Sequence, residues 1–171
     1  FTVHEGINLG IQATHINLRA ERCSQALAKV DLQGFEGRFY QELSGGEQQR
    51  VQLARVLCQV WEPMLGERPR WLFLDVTVSS LVINLLLCFM FVARDFADQC
   101  GGVVAVMHDL ILSTMFADQI AVMSKGTLAA FGLAKDVITS SNMKAIFDVE
   151  LTVGQPPKNG ETYILPQLPR R

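Results

Sequence analysis

The sequence predicts an α/β fold, and three stretches carry that prediction. In Leu43-Ser44-Gly45-Gly46-Glu47-Gln48-Gln49-Arg50, a serine and two glycines lead into Val51, Ala54, Leu57, Cys58 and Trp61 at helical spacing. Trp71 to Leu74 and Val103 to Met107 are short, bounded apolar runs, as expected of buried strands in a parallel sheet. With 171 residues, nearly half of them apolar, the chain is long enough for one domain with a real core.

Taken in order, residues 1 to 18 mix apolar side chains with Gly6 and Gly10 and show no clear periodicity. His4 and His15 lie here without partner spacing and read as surface or packing histidines. From Arg19 to Val30, Cys23, Ala26, Leu27 and Val30 line one helical face. Leu32 to Gly37 connects this helix to Leu43. Ser44 stands where a helix N-cap would stand, and the bare backbone after it suits an anion, because a helix start carries unpaired N–H groups and partial positive charge. The helix runs to Trp61, and Glu62 to Pro69 reads as a Pro/Gly-rich loop.

Asp75 closes the first strand, where the carboxyl end of a parallel strand places ligands. Leu81 to Ala93 is apolar except at Asn84, and its thirteen residues fall short of the about 20 needed to cross a bilayer. It reads as a core helix without a polar face, leaving an exposed apolar strip. Arg94 to Gln99 restores polarity before Gly101-Gly102, and His108 follows the next buried strand. A helix is expected over Leu110 to Ala117 and a strand over Gln119 to Met123. A Lys125-Gly126 turn then leads into Thr127 to Phe131, closing the sheet with a hairpin. Short helices follow over Ala134 to Thr139 and Asn142 to Phe147, with Ser141 as an N-cap. The tail from Leu151 carries four prolines and an apolar Tyr163-Ile164-Leu165 suited to an edge strand.

Charge and cysteine usage exclude several classes. Fifteen basic against seventeen acidic side chains give a net charge of −2, which offers no footprint for nucleic acid or an anionic membrane. Cys23, Cys58, Cys88 and Cys100 form no C-x-x-C pair and no cluster with histidine, so they read as reduced thiols rather than a disulfide framework or zinc site. No signal peptide is visible, and a chain beginning at Phe1 reads as a fragment or processed product.

The string from Leu43 to Arg50 resembles the signature motif of the ATP-binding cassette, the nucleotide-binding subunit of ABC transporters. Trp71-Leu72-Phe73-Leu74-Asp75 resembles the Walker B strand, and Val104 to Asp109 the next core strand with its switch histidine; the three occur in the family's order. The resemblance implies a P-loop NTPase-like core with a small helical signature subdomain. The helical part would occupy about residues 1 to 60, the Walker B and switch part about 70 to 150, and a tail 151 to 171. It further implies ATP and Mg²⁺ as cofactors. Ser44, Gly45, Gly46 and Glu47 would contact ATP bound to a partner subunit, Asp75 would hold Mg²⁺ through water, and His108 would reach the γ-phosphate. From the residues alone, Asp75 also fits a helix-capping role and His108 a structural one.

The departures from the family pattern bear on activity. A working cassette reads D-E-P-T-S-S-L-D where this chain reads Asp75-Val76-Thr77-Val78-Ser79-Ser80-Leu81-Val82. Val76 takes the place of the catalytic glutamate and cannot accept a proton, a loss that typically costs about 10²–10⁴ in rate. Val82 replaces the aspartate that couples the two nucleotide sites, while Ser79-Ser80-Leu81 fixes the alignment. No G-x-x-x-x-G-K-[ST] phosphate loop occurs in these residues, so the core is expected to lack its P-loop part and the polypeptide to bind and hydrolyse ATP weakly or not at all.

Within the family, Arg50 to Leu57, Trp61-Glu62-Pro63, Pro69-Arg70-Trp71, Ala93 to Ala97 and Ile164-Leu165-Pro166 are most similar to the ATP-binding subunits of haemin importers. The resemblance implies transmembrane permease subunits, a second ATP-binding subunit in a dimer and, indirectly, a periplasmic haem-binding protein. It places the chain peripherally at the cytoplasmic face of the inner membrane. Siderophore and cobalamin importers are close competitors for the cargo. A different class of reading is a non-catalytic cassette-like module that docks on a permease or partner cassette.

Overall fold

The computed structural model describes residues 1–11, 18–75, 83–157, 160 and 162. His15, the substituted segment 76–82 and the edge strand expected at 163–165 lie outside them. The chain divides into two compact units, Phe1–His108 and Asp109–Arg171.

The first unit begins with a helix that periodicity does not reveal. α1, Val3–Asn8, is six residues long, too short for a repeating apolar pattern. It is written instead in Thr2-x-x-Glu5, a reciprocal cap: the Thr2 N–H donates to Glu5 Oε2 at 2.7 Å and the Glu5 N–H to Thr2 Oγ1 at 3.3 Å. α2, Arg19–Lys29, and α3, Gly45–Gln59, follow where expected, although α3 stops at Gln59 with Val60 as its C-cap and does not reach Trp61. The three helices share one core in which Val3, Ile7, Cys23, Leu27, Val51 and Ala54 are buried. At the end of α3, the buried Arg22 pairs with Glu62 at 3.1 Å and lies 5.9 Å over the Trp61 ring. That arrangement keeps the guanidinium hydrogen-bonded while its stem packs.

The expected loop over 62–69 contains two short strands, β1 (Met64–Leu65) and β2 (Arg68–Pro69), paired antiparallel. The turn between them is possible because Gly66 adopts a φ of +61°, a left-handed conformation open to glycine. β3, Trp71–Asp75, then pairs in parallel with β4, Gly102–Val106, from Trp71↔Gly102 to Asp75↔Val106. The close fit at the first pair needs glycine, since a Cβ at 102 would stand 2.5 Å from the Trp71 indole.

These strands are not buried on both faces as expected. Leu72 and Leu74 are buried, whereas Trp71 is 55%, Phe73 71%, Val104 43% and Val106 53% exposed. α4, Ile83–Asp98, packs against β4, and alternation sends every second side chain to the other face. The helix also runs past the expected end at Ala93. The return of polar residues marks its solvent side, and Arg94 pairs with Asp98 one turn on at 2.7 Å. Leu85, Leu86, Met90 and Phe96 are buried, while Ile83 and Phe91 form the exposed part of its apolar surface.

In the second unit, α5 (Leu110–Phe116) precedes a hairpin of β5 (Ile120–Ser124) and β6 (Thr127–Gly132). Lys125 and Gly126 both take positive φ, +48° and +77°, as a tight two-residue hairpin turn requires. The hairpin was expected to close the sheet; among the described residues it forms a two-stranded sheet of its own. β5 sends Ile120 and Val122 inward onto Val137, Ile138 and Met143 of the following segment. α6 covers Ala134–Val137 and α7 covers Ser140–Phe147. The N-cap of α7 is Thr139 and not Ser141, because the Thr139 hydroxyl accepts the Asn142 N–H at 3.2 Å, while the Ser141 and Thr139 hydroxyls share a hydrogen bond at 3.1 Å. Among the described residues no helix is long and apolar enough to cross a membrane.

Candidate functional site

The site grows from the loop that delivers the chain into α3. Leu43 is buried and anchors it; Ser44, Gly45 and Gly46 behind it are exposed. Ser44 is extended, with φ −61° and ψ 158°, and caps the helix by accepting the Glu47 N–H at 3.4 Å. Glu47 returns the contact: its Oε2 accepts the Ser44 N–H and the Ser44 hydroxyl, both at 2.7 Å. The hydroxyl bond first and the amide bond second hold the Glu47 carboxyl below the usual carboxylate range.

A second layer braces the loop from behind. Gln48 Nε2 donates to the Tyr40 and Leu43 carbonyls, each at 3.2 Å. Gln52 donates to the Tyr40 hydroxyl at 3.0 Å, and the Tyr40 ring stacks on Phe1 at 5.1 Å. Nothing in the sequence pattern marks Gln48, Gln52 or Tyr40 for this role. Two amide side chains four apart on the first turns of α3 are the available signal, but Tyr40, which both of them reach, lies upstream of the motif.

Among the described residues, nothing demands glycine at these two positions. Neither has positive φ. Among the described residues, a Cβ at Gly45 would meet nothing within 4 Å, and one at Gly46 would only touch Leu85 of α4 at 4.0 Å. Here the chain's own packing tolerates side chains, yet the sequence leaves two residues of backbone bare.

Asp75 and His108 lie at neighbouring strand ends. Asp75 closes β3 in register with Val106, the last residue of β4, and His108 follows two residues later; both side chains are exposed. Asp109 is committed to capping α5, its Oδ1 accepting the Leu112 N–H at 2.9 Å. Val76 and Val82 lie outside the described residues.

All four cysteines are free thiols: Cys23 and Cys58 are buried, Cys88 is half-buried and Cys100 exposed. Burial pushes Cys58 up to about 12 and Cys23 up to about 11, with each also disfavoured by a neighbouring negative charge (the Cys23 thiolate and Glu36, respectively).

Comparison with known proteins gives consistent relationships. Residues 2–65 match the family described as ABC transporter. The chain is 53% identical over 171 residues to the Hemin import ATP-binding protein HmuV of Mesorhizobium japonicum, covering 98% of this chain and 65% of that protein. It is 52% identical to the protein of the same name from Rhizobium johnstonii and 50% identical to that from Jannaschia sp., covering 64% and 63% of their lengths. The chain thus spans somewhat under two thirds of the curated relatives it matches. In fold it is similar to an inward-facing metal-chelate type ABC transporter, with a TM-score of 0.70 at 22% identity over 88% of this chain and 59% of that one. It is also similar to cbiO1 of Clostridium perfringens, part of the ABC transporter complex cbiONQ, with a TM-score of 0.64 at 19% identity over 85% of this chain and 57% of that one.

Proposed function

From the match of residues 2–65 to the ABC transporter family, we propose that the chain serves in an ATP-binding subunit coupling ATP hydrolysis to haemin import. The observation that carries the reading is the pair Gly45-Gly46, exposed and bare, with nothing among the described residues that needs glycine there. Such backbone admits close approach of an anionic group to the start of α3.

In this reading Ser44, Gly45, Gly46 and Glu47 meet ATP held by a second ATP-binding subunit. The residues suit a phosphate: exposed N–H groups at a helix start and one hydroxyl. Glu47 contributes by fixing Ser44, since its carboxylate is engaged there. Asp75, an exposed carboxylate at a strand end, would hold water on Mg²⁺, and His108 would face the γ-phosphate. ATP bound with Mg²⁺ supplies the energy-releasing hydrolysis; this chain's residues position phosphate and water. The helical part, about 1 to 60, would present the signature loop, and about 70 to 150 the metal and switch residues. Permease subunits would dock the dimer at the cytoplasmic face of the inner membrane, with a periplasmic haem-binding protein delivering cargo. The names of the relatives favour haemin over siderophore or cobalamin.

A second reading is favoured by Val76 and Val82: a non-catalytic cassette module that assembles with a permease or partner cassette and completes its site without turning over ATP itself. Co-expression with the permease, followed by ATPase and haemin-uptake assays in proteoliposomes, separates the two. Uptake with turnover supports the coupling subunit; stable assembly without turnover supports the module; absence of any assembly sinks both.

A further inference from the structure

We draw no further inference here: the strongest candidate, the open apolar face of the β3–β4 sheet bearing Trp71, Phe73, Val104 and Val106, carries none because nothing in the structure shows what covers it.

Discussion

The Glu47 carboxylate lies 2.7 Å from both the amide nitrogen and the hydroxyl of Ser44, closing the loop on itself at the start of α3. Ser44→Ala removes the acceptor for the Glu47 N–H and the hydroxyl that the carboxylate binds. A loss of about 1 kcal/mol is expected in urea denaturation, with α3 retained by its packed face.

The same pair sets a pH dependence. Because the folded state holds the Glu47 carboxyl below its ordinary range, the interaction contributes fully above that range and is lost as pH falls through the lowered value. Denaturation midpoints of the parent and Glu47→Gln are expected to differ at neutral pH and to converge in acid. The difference is small for so exposed a group. A gap that widens in acid would contradict the assignment.

Gly45→Ala and Gly46→Ala separate stability from function. Both positions accept a Cβ without a clash among the described residues, so stability is expected to hold or rise by up to about 1 kcal/mol. ATP-dependent association with a P-loop-bearing partner, followed by light scattering, is expected to weaken. A destabilised variant would instead assign the glycines to the fold.

At Val76 the missing group is a proton acceptor. In the subunit assembled with its permease, Val76→Glu is expected to raise ATP turnover by about 10²–10⁴ if only the general base is lost. Unchanged turnover would place the defect elsewhere and favour the non-catalytic module.

Thiol labelling tests the core of the first unit. Cys100 is exposed and is expected to react with a maleimide at neutral pH, with the half-buried Cys88 slower. Cys23 and Cys58, buried and with their thiolates disfavoured, are expected to react only as the chain unfolds. Fast labelling of Cys58 in the native protein would contradict the α2–α3 packing.

Much of this was legible in the chain. The buried face of α3 was written in Val51, Ala54, Leu57 and Cys58, and the N-cap in Ser44, because helical period and capping chemistry are local. α1 does not show in the periodicity, because six residues carry too little of it; its only mark in the sequence is the Thr2-x-x-Glu5 cap. The one-sided burial of β3 was not legible, since Trp71 and Phe73 read as core residues whatever lies opposite them. Within the site the chain named Ser44, Gly45 and Gly46, but the bracing by Gln48, Gln52 and Tyr40 depends on how the preceding loop folds back.

The arrangement of Trp71 against Gly102 has a practical side. The chain has two tryptophans, and they sit in different surroundings: Trp61 is half-buried near Arg22, while Trp71 is largely open to water. Its fluorescence is therefore a built-in reporter on the strand, with an aqueous emission that a dissolved quencher reaches readily. Anything that settles onto this part of the sheet would shift that emission to the blue and shield it.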